Sequence, residues 1–451
     1  MLKEMTGTKA EREIAALRRR VSSNPGDLVG RHNLAVALRT VGRFEEALGE
    51  VELAYDGGLR GAETRTVRAN LLADLARYDE AVTEYRKLLA VHPDAIAAHE
   101  TLSRLLPQRG QRATALDSYR AALNRAPQLG MLWVSAMQAA CDLGDHLQLL
   151  SWAKAANARF GNDTMITVFA AQAMAGLGDF VEARNLLNNA VAADPDYVPA
   201  ITTLAFYLLQ HGDARAAERH LLRATVLEPD NQSAWSLLTV AWRLLDDARE
   251  TWLADYERQV MWSDLDIDCG ALAVRLTGLH DTLAAPADQS LRGGTQTRGD
   301  LFSMRDPLIE QLAKEIKRSV EIQLAALPDD PSHPFLRRKA ERIIFEGSWS
   351  VRLLSKGYHI SHIHPKGWLS SACYIALPAG LESDIGEGAL EFGVPDAKLG
   401  LSLEPRRTLA PIEGRLVIFP SYYWHGTRRF VRNAPRLTVA FDALPGGREP
   451  G

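Results

Sequence analysis

Twelve histidines occur in 451 residues, yet His359, His362 and His364 fall within six positions of GYHISHIHPKGWLSSACYIALP (357–378). Imidazole readily binds transition metals and exchanges protons near neutral pH. A surface loop has no use for three of them, and an apolar core would leave their ring nitrogens hard to satisfy. If the segment is extended, the side-chain period of two puts His362 and His364 on one face and His359 on the other. His425 follows in FPSYYWHGT, closing a later strand. Eleven residues beyond it, Arg436 opens PRLTVAFDALP with Thr438 on its face. Taken singly, each of these has an ordinary reading: a surface or structural His-x-His pair, and a capped core histidine.

Strands must position such residues. From Arg342 onward the patterning is of β type, with Trp349, Val351 and Leu353 alternating against Ser350, Arg352 and Leu354 in GSWSVRLLS. LSSACYIALP, GALEFGVP, GRLVIFPSYYWHG and PRLTVAFDALP predict four further strands. Short strands between turn signals predict a sandwich or barrel rather than a parallel sheet. Upstream, 307–327 has helical periodicity with a proline near its start, and 285–303 is polar, glycine-bearing and loop-like.

The first half is organised differently. Gly42, Ala76, Gly110, Gly144, Gly178 and Gly212 fall at a constant step of 34 residues. Five residues on, Ala47, Ala81, Ala115, Leu149, Ala183 and Ala217 keep the frame, and so do Pro93, Pro127, Pro195 and Pro229. These segments resemble tetratricopeptide repeats, pairs of helices in which small residues permit close approach and a proline stops the second helix. No single pair buries its apolar face, so stacked pairs must share a core. The stack predicts a concave surface that binds a protein or peptide, or that only places a neighbouring domain. The repeat names no ligand.

Composition narrows the classes. At this length two domains are expected: a helical-repeat solenoid with caps over 10–258 and a β-domain over 259–451. A net charge of −4 gives no case for nucleic acid or an anionic membrane. The N-terminus is charged, without the apolar core of a signal peptide, and no apolar run is long enough to span a bilayer. Cys141, Cys269 and Cys373 are far apart, in no metal-type spacing, which suits reduced thiols of a cytoplasmic protein.

The order His-x-His, distant His, then Arg about ten residues later resembles the iron(II)- and 2-oxoglutarate-dependent oxygenases. Their double-stranded β-helix (jelly roll) carries His-x-Asp, a distant His and an Arg. GSWSVRL, HIHPKGWLSSACYIALP, GRLVIFPSYYWHGT, PRLTVAFD and SLRGGTQTRGDLF are similar to a bacterial group of these oxygenases often joined to tetratricopeptide repeats, over roughly 285–445. The resemblance implies iron(II) as metal, 2-oxoglutarate as co-substrate, and His362, His364 and His425 as ligands. Arg436 would pair bidentately with the distal carboxylate of the keto acid, with Thr438 and Tyr374 adding hydroxyls. Tyr374 reads equally as a core tyrosine.

One departure matters: His364 stands where the family has its carboxylate. Either a third imidazole replaces it, or two histidines and water serve. Glu391 and Asp384 are weaker carboxylate candidates. His359 is expected beside the ligands or at the surface. Trp349, Trp368 and Trp424 are expected to pack the barrel, Trp368 near its mouth, while Arg428, Arg429 and Arg432 form a solvated loop. Arg292, Gln296 and Thr297 either close over the pocket or only staple a loop to the barrel. The implied activity is hydroxylation of a protein, peptide or small molecule. The rival is a non-catalytic scaffold with a degenerate oxygenase-like domain. A halogenase would need a small residue in place of His364.

Overall fold

The computed structural model describes residues 9–280, 290–297, 299–381 and 386–446. The chain divides into two compact units, Met1–Asn162 and Asp163–Gly451. In the first, helix Lys9–Ser23 precedes the pairs Leu28–Thr40/Phe44–Asp56, Ala62–Asp74/Tyr78–Val91, Ile96–Gln108/Asp117–Arg125 and Gly130–Asp142/His146–Phe160. The second opens with the pairs Thr164–Gly176/Phe180–Ala193, Val198–Gln210/Ala214–Leu227 and Gln232–Leu244/Arg249–Leu253.

The backbone explains the 34-residue frame. Gly42, Ala76, Gly110, Gly144, Gly178 and Gly212 have φ between 57° and 90°, in the left-handed region where the chain reverses between the helices of a pair. Asp246 (φ 51°) lies one further step of 34 along and makes a seventh such turn, which a frame drawn from glycine and alanine does not mark. In the same frame, Asp145, Asp179 and Asp213 cap the second helices, accepting from the backbone N–H of Gln148, Glu182 and Ala216. Second helices end at Val91, Arg125, Ala193 and Leu227, each two residues before a frame proline. An L side chain in the left-handed region costs roughly 1–2 kcal/mol. Ala76→Gly is therefore expected to stabilise the first unit by about 1 kcal/mol. Denaturant titration checks this; a fall in stability would mean that Ala76 makes contacts worth more than its strain.

The strands are β1 (Met261–Asp264), β2 (Leu291–Gln296), β3 (Ile343–His359), β4 (Leu369–Ala376), β5 (Leu390–Phe392), β6 (Arg407–Leu409), β7 (Arg415–Pro420), β8 (His425–Thr427) and β9 (Arg436–Pro445). One sheet has the order β1-β7-β4-β9-β3-β2 and the other β6-β5-β8, with antiparallel pairing throughout. This is the jelly-roll, double-stranded β-helix architecture, flanked by helices Cys269–His280 and Pro307–Ala325.

The structure corrects the expected strands in two places. GRLVIFPSYYWHG is not one strand but β7 and β8, in different sheets, so His425 opens a strand rather than closing one. Part of the segment expected to be loop is β2, paired with β3. Glycines on both strands permit that pairing: a Cβ on Gly294 of β2 would lie 2.4 Å from the Arg352 carbonyl oxygen, and one on Gly357 of β3 would lie 2.6 Å from that of Gly293.

Within the second unit one core runs from the last repeats into the barrel, including Leu204, Trp242, Tyr256, Phe392, Phe419 and Tyr423. Among the described residues no helix is long and apolar enough to cross a membrane.

Candidate metal centre and keto-acid pocket

Two elements deliver the imidazoles. The connection between β3 and β4 carries His362 and His364, and β8 carries His425. His362 and His425 form an antiparallel bridge, each backbone N–H donating to the other's carbonyl at 3.0 Å. The His364 N–H donates to the Ser421 carbonyl, also at 3.0 Å. Two short stretches distant in sequence are thus sewn together by backbone bonds. The ligand-capable nitrogens of His362, His364 and His425 lie within 4.8 Å of one another.

Each ring has its Nδ1 engaged. Nδ1 of His362 lies 2.8 Å from the Ile360 carbonyl oxygen, and Nδ1 of His425 lies 2.9 Å from that of Tyr423. Nδ1 of His364 lies 2.7 Å from Oδ2 of Asp442. With those protons on Nδ1, the three Nε2 atoms are left as lone-pair donors. Burial, then the neighbouring imidazoles, hold His425 well below the usual histidine range; burial and His364 push His362 down to about 3. Both are therefore neutral at physiological pH, the form that ligates.

A metal with nitrogen bonds near 2.1 Å needs adjacent donors about 3 Å apart. Binding would draw the rings inward, and the Ser290 hydroxyl, 3.1 Å from Nε2 of His362, would have to give way. The donor set fits a borderline metal such as iron(II).

His359 does not join the cluster. Its ring stacks on His362 at 6.0 Å, and its Nδ1 lies 2.9 Å from the same Ser290 hydroxyl, so it lies behind a candidate ligand. Trp349 stacks on His364 at 6.0 Å with the planes 9° apart. Glu391 faces away: its strand neighbours Leu390 and Phe392 are buried, Phe392 lies opposite His425, and the Glu391 carboxylate pairs with Arg428 at 2.6 Å. Asp384 lies outside the described residues.

The second part of the site lies on β9 and β4. Arg436, Thr438, Ala440 and Asp442 alternate onto one face of β9, and Tyr374 of β4 pairs directly opposite Thr438. Arg436 is 2 % exposed and its guanidinium lies 4.9 Å from the Tyr374 ring centroid. One terminal nitrogen donates to the Gly388 carbonyl at 2.6 Å, but the Arg436 Nε and the Tyr374 hydroxyl are buried without a hydrogen-bond partner. Burial lowers the Arg436 pKa and raises that of Tyr374. Two orphaned donors on one buried cation and its neighbour are the groups that a small carboxylate would satisfy.

The remaining candidates have other roles. Trp368 is not at the barrel mouth: it is 1 % exposed, donates to the Phe335 carbonyl at 3.0 Å and packs on that ring. Trp424 donates to the Ser236 carbonyl of a repeat helix at 3.0 Å. Thr297 staples the end of β2 to β3, its hydroxyl accepting from Ser350 N–H at 2.9 Å; Gln296 pairs opposite Val351, and Arg292 is exposed on β2. Of the loop arginines, Arg429 donates to the Tyr358 hydroxyl and stacks on its ring, and Arg432 pairs with Glu387. Asp442 escaped the sequence reading, although three steps of two from Arg436 along β9 reach it.

Residues 347–442 match a family model described as "Putative 2OG-Fe(II) oxygenase", and residues 66–129 and 174–240 match two tetratricopeptide-repeat models. Among solved structures, the chain is similar to a tetratricopeptide repeat protein from Parabacteroides merdae, at 17 % identity and TM-score 0.36, over 51 % of this chain and 90 % of that one. It is similar also to the C-terminal part of a repeat-containing protein from Cytophaga hutchinsonii, at 16 % identity and TM-score 0.34, over 49 % and 86 %. No curated protein matches.

Proposed function

Since the chain joins tetratricopeptide repeats to a C-terminal domain of the 2OG-Fe(II) oxygenase family, we propose that it is an iron(II)- and 2-oxoglutarate-dependent dioxygenase. Its substrate would be a protein, a peptide or a small molecule recruited near the repeat surface, and its setting the cytoplasm. The repeat domain would span 10–258 and the oxygenase domain 259–451. The observation that carries the reading is the pair of buried, unpartnered donors, Arg436 Nε and the Tyr374 hydroxyl, on the barrel that also gathers the three imidazoles.

His362, His364 and His425 would hold iron(II), which when bound supplies dioxygen activation coupled to oxidation of the keto acid. Arg436 would fix the distal carboxylate, with hydroxyls from Tyr374 and Thr438. Trp349 and the buried aromatic wall behind His425, Phe392 and Phe419, limit water around the ligands.

The rival, a binding scaffold without catalysis, draws on one observation: among the described residues the converging donors include no carboxylate. One experiment separates the two. Iron(II) and 2-oxoglutarate are added without oxygen to metal-free full-length protein, and the weak visible charge-transfer band of the chelated keto acid is recorded. A band in the wild type, lost in His425→Ala, supports the enzyme. No band from folded protein at saturating iron leaves the scaffold.

A further inference from the structure

The three candidate ligands are not held alike. His362 and His425 direct Nδ1 at the carbonyl two residues earlier in their own chain segment, Ile360 and Tyr423, a local contact that carries no net charge. His364 instead directs Nδ1 at a carboxylate from another strand, Oδ2 of Asp442, 78 positions away, at 2.7 Å. The other oxygen, Oδ1, accepts from the Ser370 hydroxyl at 2.7 Å, and Ser370 lies 2.8 Å from the Ser421 hydroxyl. Ser421 is the residue whose carbonyl receives the His364 N–H, so the two serines close a ring of bonds around the His364–Asp442 pair. Ser370 and Ser421 are both fully buried. Gly367 keeps the ring compact, since a Cβ there would come within 2.4 Å of the Ser421 hydroxyl and 3.5 Å of the Asp442 carboxyl carbon.

Resting on the oxygenase reading, we infer that Asp442 is a positioning residue that fixes His364 in the ligand set and lends the site its negative charge through the imidazole. Three neutral imidazoles leave a divalent metal with its full charge. A carboxylate hydrogen-bonded to a ligating ring strengthens the ring as a donor and fixes its tautomer and plane. The carboxylate that the ligand set lacks is thus present one hydrogen bond farther out. This arrangement also explains why Asp442 shares the inner face of β9 with Arg436: one strand supplies an anion behind the metal ligands and a cation for the keto acid.

Cobalt(II) absorption titration of full-length protein reads the metal site without turnover. Asp442→Asn keeps the shape and a hydrogen-bond acceptor for Nδ1 but removes the charge. It is expected to weaken cobalt(II) binding about 10- to 100-fold and to leave the melting temperature of the metal-free protein close to that of the wild type. In a His364→Ala background the same substitution should change affinity by less than about twofold, because the effect travels through that ring. Unchanged affinity in Asp442→Asn, or an equal loss whether or not His364 is present, overturns the inference and leaves the oxygenase reading standing. A wild type that binds no cobalt(II) overturns both.

Discussion

Replacing Arg436 with methionine is expected to raise the concentration of 2-oxoglutarate needed to develop the anaerobic charge-transfer band by about 30-fold or more. Removing one partner of a buried, hydrogen-bonded charge pair costs about 2–5 kcal/mol, and every 1.4 kcal/mol is tenfold. Without the keto acid the sign should differ. The guanidinium is buried with its Nε unpartnered, so methionine removes a desolvated charge and loses chiefly the bond to the Gly388 carbonyl. The metal-free, keto-acid-free variant should therefore melt near the wild type. Tyr374→Phe should behave as a smaller copy, with a loss of affinity of about fivefold to tenfold from one hydroxyl donor and no loss of stability, since the hydroxyl has no partner now. A variant that melts much lower but binds the keto acid unchanged would make Arg436 a structural residue of the barrel.

The physics of this site sorts what the sequence could disclose from what it could not. Local constraints were legible. Reversal between paired helices demands positive φ, so glycine takes five of the six places in the 34-residue frame and alanine the other; Asp246 hides only because aspartate tolerates the same conformation. The inner face of β9 follows from its period of two, and the order of His362, His364, His425 and Arg436 suggests the proposed chemistry.

What depends on distant pairing was not legible. LRGGTQ reads as loop because glycine is poor in strands, yet there it is the only residue that fits against the β3 backbone. SYYWH continues an apolar run past Pro420, and nothing local shows that β7 ends there and His425 joins the other sheet. Asp442 resembles any strand-end aspartate until His364, 78 positions away, is placed against it. In each case the missing information is the identity of the tertiary partner.

The helices of the second unit help to hold the candidate site in place, so cutting the chain at 258/259 is expected to ruin it. In residues 421–425, three consecutive aromatic anchors lead directly into His425. The Tyr422 hydroxyl donates to the Leu253 carbonyl at 2.7 Å, Tyr423 packs on Tyr256 at 4.7 Å, and Trp424 donates to the Ser236 carbonyl at 3.0 Å. Arg243 reaches the Gly393 carbonyl at 2.8 Å, and Glu250 pairs with Arg406. All three aromatics are under 9 % exposed, and a fragment of residues 259–451 would uncover much of their packing surface. Losing the packing of one large aromatic costs about 3–5 kcal/mol, against a total domain stability of about 5–15 kcal/mol. Fragment 259–451 should therefore be insoluble, or lack a cooperative melt, and bind no cobalt(II). Fragment 163–451, which keeps the last repeats, should melt cooperatively and bind the metal within a few-fold of the full chain. Equal melting and equal metal affinity in the two fragments would show that the barrel places His425 unaided, and that the repeats act only on what comes to the site.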